Sequence, residues 1–130
     1  MARLVFSGAL VFGKGEGARF TRTDWVREAF QDLVDIDPWP GTLNLRVSEK
    51  KSLAVWHEIK KLPGLILRAP DSAWCDGRCY PAVIQGLSCA IVVPEVESYA
   101  PDQVEIIAAV SIRETLGLGD GDLIEVEVTT

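Results

Sequence analysis

Strand-like runs outnumber helical ones along this chain, and they follow one another without the intervening helices that a parallel sheet needs. The runs cover 3–12, 42–47, 65–68, 80–85, 89–93, 104–108 and 123–128. The clearest is Thr42-Leu43-Asn44-Leu45-Arg46-Val47, in which Leu43, Leu45 and Val47 share one face and Thr42, Asn44 and Arg46 the other. Helical patterning is confined to three places. Asp24 opens one segment, with Trp25, Val26, Ala29, Phe30 and Leu33 on one face, and Asp37-Pro38-Trp39-Pro40-Gly41 ends it. A second covers 52–62, and its His57 reads as a surface residue. Ser111-Ile112-Arg113-Glu114 is a capping box for a short third helix that Gly117 stops. The class this predicts is mostly β with a few helices, arranged as a small barrel.

Size and charge narrow the function. A chain of 130 residues, 48% of them apolar, suits one domain (1–130) with one core. Its net charge is −6 and it has no Lys/Arg-rich block, which argues against a nucleic-acid or anionic-membrane surface. No apolar run approaches the roughly 18–20 residues of a membrane span, and the N-terminus lacks a signal-peptide core, so a cytoplasmic protein is expected. Three cysteines do not make a disulfide framework. Cys75 and Cys79 flank a turn-like Asp76-Gly77-Arg78, and with only Cys89 and His57 to join them they read as reduced thiols near a hairpin, not a zinc site.

Three constellations could carry chemistry. Gly13-Lys14-Gly15-Glu16-Gly17-Ala18 matches a dinucleotide fingerprint formally, but the helix starts too late and no second strand with an acidic end follows. Nor does a G-K-[ST] close it as in a Walker loop. It reads either as a loop whose N–H groups approach an anion, with Lys14 and Arg19 adding positive charge, or as a flexible hairpin loop. Thr42 and Asn44, two apart on a strand, can aim two neutral oxygens at one point, which suits Mg²⁺ that also takes phosphate oxygens; the alternative is a solvated polar face. Glu105 opens an apolar strand, either at a pocket mouth or in solvent. Asp120-Gly121-Asp122 lacks EF-hand spacing and is read as a turn.

In their order along the chain, several of these segments resemble the archaeal CTP-dependent riboflavin kinase family. They are Gly13-Lys14-Gly15-Glu16-Gly17 with Phe20, Pro40-Gly41-Thr42-Leu43-Asn44, Cys79-Tyr80-Pro81-Ala82, Ala90-Ile91-Val92-Val93-Pro94, Glu105-Ile106-Ile107-Ala108, and Arg113-Glu114 with Leu118-Gly119-Asp120-Gly121-Asp122. The resemblance implies a six-stranded cradle-loop (RIFT-type) β-barrel, CTP as phosphate donor with CDP as product, riboflavin as acceptor giving FMN, and Mg²⁺. It implies nucleotide contacts from Lys14, Gly15, Glu16, Gly17, Ala18 and Arg19 and from Val110, Ser111, Ile112 and Arg113, metal ligation by Thr42 and Asn44, and flavin binding by Glu105. Two departures stand out. The family often carries longer or basic side chains where Val110 and Ser111 stand. It tends to place a flavin-binding threonine where Glu97 aligns, a role that Ser98 would take after a one-residue shift. Other readings are a CTP-dependent kinase of another small hydroxylated acceptor, or a non-catalytic nucleotide- or flavin-binding sensor. The retained Thr42 and Asn44 favour catalysis, because a pure flavin binder needs no metal.

Overall fold

A computed structural model of the chain describes residues 3–12 and 16–129, with side chains from residue 18 in the second stretch. Among these residues the elements run in the order β1 (Arg3–Val11), α1 (Glu16–Arg22), α2 (Asp24–Val34), β2 (Leu43–Arg46), α3 (Lys50–Lys60), β3 (Leu65–Leu67), β4 (Gly77–Ile84), β5 (Leu87–Pro94), β6 (Gln103–Ala108), α4 (Ile112–Leu116) and β7 (Leu123–Thr129). The strands are antiparallel in the order β3-β4-β5-β6-β2-β1-β7, and a further pairing of β7 with β4 closes the last six into a barrel. Beginning at Gly77, β4 uses 77–79 to pair with β3 and Ala82 and Val83 to pair with β7. Closure leaves the six barrel strands without a long exposed edge. Among the described residues no helix is long and apolar enough to cross a membrane.

Side-chain alternation divides the apolar residues between two cores. Phe6, Leu45, Ile91, Val104, Ile106, Ile124 and Val126 fill the barrel interior. The intervening residues Cys79, Ala90, Val92 and Ile107 face outward and are buried under Val26, Phe30 and Ile36. This explains why 89–93 is apolar at every position: β5 is covered on both faces. Trp56 of α3 enters the interior cluster, 5.5 Å from the Phe6 ring, and donates its indole N–H to the Pro101 carbonyl at 3.1 Å. On β1, Gly8 lets Leu45 and Val47 pack close: a Cβ there would lie 3.0 Å from that of Leu45.

The helices differ in detail from expectation. Helix α2 starts at Asp24 as expected, but stops at Asp35, whose left-handed backbone (φ 56°) caps it before the proline segment arrives. Helix α3 spans 50–60, earlier than the 52–62 pattern suggests, and His57 is on its surface. Helix α1 was not expected at all. Four of its seven residues, Glu16 to Arg19, fall in the stretch read as the end of a glycine loop. It is held from outside by Phe20, which packs edge-on to Trp25 and Phe30.

Candidate functional site

The barrel and its helices bring the predicted site residues to one region through the register of β6 with its neighbours. Asn44 stands directly opposite Glu105 across the β2–β6 pair, and Val92 stands opposite Glu105 across the β5–β6 pair. Residues so paired point to the same side of a sheet, with Cβ atoms about 4.5–5.5 Å apart. Glu105 and Asn44 therefore lie side by side on the outer face, while their chain neighbours Leu43, Leu45, Val104 and Ile106 point into the barrel.

Thr42 and Asn44 meet as their spacing demands. The Asn44 amide donates from Nδ2 to the Thr42 carbonyl at 3.2 Å and to Thr42 Oγ1 at 3.3 Å, and Asn44 is buried. The preceding Gly41 has φ 122°, a conformation that glycine adopts without strain, so the turn into this strand requires it. Its N–H donates to Thr21 Oγ1 at 2.8 Å. Buried Thr21 thus ties α1 to the Pro40-Gly41-Thr42 turn, linking the end of the glycine-rich stretch to the paired oxygens.

Two cavities open beside this pair. The first, about 160 Å³, lies where the ends of β1, β2 and β6 meet the 110–113 segment, and is lined by Thr42, Asn44, Trp39 and Val110 to Arg113. Here Ser111 caps α4 by accepting the Glu114 N–H at 3.3 Å, and Val110 is 43% exposed. The Arg113 guanidinium sits 4.8 Å from the Phe12 ring centroid and pairs with Asp120 at 3.0 Å. The second cavity, about 230 Å³, lies on the outer face of β5 and β6 and is lined by Phe20, Trp25, Trp74, Val92, Thr42 and Glu105, with Cys75 and Asp76 at the β4 end. Thr42 is the one described residue that lines both.

Electrostatics single out Glu105 in the second cavity. The buried Tyr99 hydroxyl interacts with its carboxylate. Burial first, then the Glu105 charge, holds the phenol's pKa well above its ordinary value, so Tyr99 stays protonated beside it. Asp76, by contrast, is engaged in structure: its Oδ1 accepts the Ala69 N–H at 2.8 Å.

Not every expected residue that the structure describes lines these cavities. Gly13, Lys14 and Gly15 lie outside the described residues, and Glu16 and Gly17 are described only as the opening of α1. Ala18 and Arg19 continue that helix, with Arg19 exposed. Glu97 and Ser98 form an exposed turn between β5 and β6 and are not among the residues lining the cavity that holds Glu105. The sequence reading missed Tyr99, Trp74 and the role of Trp25 and Phe20. A tryptophan in the loop before β4 was the available signal, since a large aromatic outside regular structure needs a surface to cover. The cysteines do not converge. Cys75 is exposed, whereas Cys79 and Cys89 are buried in different cores, where desolvation pushes their thiols up to about 11 and about 12. Among the described residues, no three His, Cys, Asp or Glu side chains group as metal ligands.

Comparison with known proteins gives this region its context. Residues 10–128 match the family model CTP-dep_RFKase, described as Domain of unknown function DUF120. The chain is 41% identical over 125 residues to the riboflavin kinase of Methanocella arvoryzae, covering 96% of this chain and 56% of that protein. It is 34% identical over 128 residues to the riboflavin kinase of Methanosarcina acetivorans (96% and 54%), and 31% identical over 131 residues to that of Pyrobaculum aerophilum (98% and 62%). The chain thus spans little more than half the length of these curated relatives. With a family match over nearly its whole length, and these relatives aligned across it, the chain belongs to the CTP-dependent riboflavin kinase family.

Proposed function

We propose that this domain transfers the γ-phosphate of CTP to the ribityl 5′-hydroxyl of riboflavin, with Mg²⁺, giving FMN and CDP. One observation carries the reading: Thr42 lines two cavities, one bordered by Val110 to Arg113 and the other by Glu105 and an aromatic cluster. A donor in the first and an acceptor in the second would meet at Thr42 and Asn44. The relatives' names, all riboflavin kinase, support the acceptor, and the family supports CTP.

The residues present fit Mg²⁺. Thr42 Oγ1 and the Asn44 carbonyl oxygen are neutral oxygens on side chains joined by the Asn44 Nδ2 bond, and with no acidic cluster among the described residues the remaining positions suit phosphate oxygens and waters. When bound, the ion supplies neutralisation of charge on the phosphoryl group in transfer. That matters in a chain of net charge −6 that must accept a polyanion.

Phosphoryl transfer leaves the protein little covalent work, so its residues act by position. The Asn44 Nδ2 bond to Thr42 fixes the amide, and its carbonyl oxygen is the atom it would offer a cation. Arg113 and the backbone of 110–112 border the donor side. Glu105, opposite Asn44, accepts hydrogen bonds from ribityl hydroxyls and holds the chain end toward the donor. Phe20, Trp25 and Trp74 provide apolar area for the ring.

The test is to incubate the protein with riboflavin, Mg²⁺ and either CTP or ATP, and to separate the flavins by chromatography. FMN should form, and CTP should exceed ATP as donor by at least about tenfold, a difference of only ~1.4 kcal/mol. No FMN with either nucleotide sinks the reading; equal rates with both remove only the base preference.

A further inference from the structure

We infer that the Trp25 indole N–H is the donor that reads a ring carbonyl of the acceptor, a role that the family resemblance gives to the Glu97–Ser98 turn. This rests on the riboflavin reading above. The Trp25 Nε1 atom is buried and has no hydrogen-bond acceptor among the described residues. Buried indole N–H groups usually find a partner, because an unpaired donor away from water is costly. Trp25 also lines the cavity that holds Glu105, so the unused donor is carried by a ring that borders the place where the acceptor would sit.

The surrounding geometry suits a flat, polar-edged ring. Trp25 meets Trp74 at 6.0 Å between centroids with planes at 69°, and Phe20 at 6.5 Å and 87°. The three rings come from α2, α1 and the loop before β4, so Trp74 can part from Trp25 while Phe20 keeps its packing on Trp25 and Phe30. Trp25 is the anchored member: it stands in the first turn of α2, whose Val26 and Phe30 are wholly buried. A planar heterocycle inserting between Trp25 and Trp74 would replace edge contacts by stacking and bring an acceptor to the covered N–H.

The other side chains offered for this bond fit less well. Glu97 as a carboxylate only accepts, and both Glu97 and Ser98 are exposed in their turn. Within the cavity Asp76 likewise only accepts, and the Cys75 thiol is a weak donor. The flavin ring carries two carbonyls on its pyrimidine edge, and the ribityl chain leaves from its middle. One end can therefore meet Trp25 while the chain runs toward Glu105 and Thr42.

The experiment measures binding by calorimetry as the protein is titrated with riboflavin, 2-thioriboflavin and 4-thioriboflavin, at saturating CDP and Mg²⁺. Sulfur in place of the contacted oxygen is a poorer acceptor. Trp25→Phe, which keeps an aromatic ring and removes the N–H, should raise the riboflavin Kd roughly five- to thirtyfold and leave the CDP Kd within about twofold. One thio-analogue should bind the unsubstituted protein several-fold more weakly than riboflavin, and lose that deficit in Trp25→Phe. An unchanged riboflavin Kd in Trp25→Phe overturns the inference and leaves the riboflavin reading standing. Should the substitution unfold the chain, the unsubstituted protein decides alone: both thio-analogues binding as riboflavin does overturns it. No riboflavin binding by the unsubstituted protein removes the riboflavin reading and this inference together.

Discussion

On β5, Ile91 and Val92 are chain neighbours with opposite duties. Ile91 points into the barrel among Leu45, Val104 and Ile106, with no surface exposed. Val92 points outward, beside Glu105 across the strand pair, and lines the same cavity as that carboxylate. The same alternation recurs on β6, where Val104 and Ile106 face in and Glu105 and Ile107 face out. One layer of strands thus carries a dry interior that stabilises the barrel and an outer face that carries polar groups and a cavity. Damage to one face should leave the other largely intact.

The largest expected effect lies inside. Ile91→Ala leaves a cavity in a closed barrel that cannot easily collapse, and should cost about 2–5 kcal/mol in urea unfolding. The fraction still folded should bind riboflavin with the parent Kd. Selective loss of flavin affinity at unchanged stability would break the division between the faces. Next comes Asn44→Ala, which removes an oxygen from the paired position. Turnover should fall about a hundredfold, equivalent to ~2.7 kcal/mol, at limiting Mg²⁺. The urea midpoint should move far less, because only the weak hydrogen bonds to Thr42 are lost. Wild-type turnover in this variant would remove the metal assignment. Glu105→Gln should be the mildest, raising the riboflavin Kd about tenfold by weakening charge-assisted bonds to hydroxyls. The CDP Kd should not change, and calorimetry with each ligand separately distinguishes the two sites.

How much of this could be read beforehand depends on distance along the chain. The pairing of Thr42 with Asn44 was legible because it follows from a two-residue period within one strand. The capping box at Ser111 and the left-handed Gly117 were legible for the same reason: each is a local rule. Helix α1 was not, since its sequence opens in glycines and its stability comes from Phe20 docking on Trp25 and Phe30. The start of β4 at Gly77 was hidden by a turn-like Asp76-Gly77. A Cβ at Gly77 would stand 3.2 Å from the Val93 carbonyl, so the residue that looks like a break permits a close strand approach. The aromatic cavity joins Phe20, Trp25 and Trp74 from distant segments, and no local pattern announces that they meet.

The pairing of β1 with β7 also bears on how the barrel is made. Arg3 is registered against Thr129, and seven successive residues of the two strands pair from there, with nearly all the described chain between them. Bringing such distant segments together incurs the loop-closure entropy before any contact offsets it, so the final step of folding should be slow relative to hairpin formation by β4 and β5. During synthesis β1 leaves the ribosome before its β7 partner. Until then one edge of β1 stays open, and an unpaired apolar edge is a template for pairing with another nascent chain. Crowded translation is therefore a stage at which this barrel is exposed to misassembly.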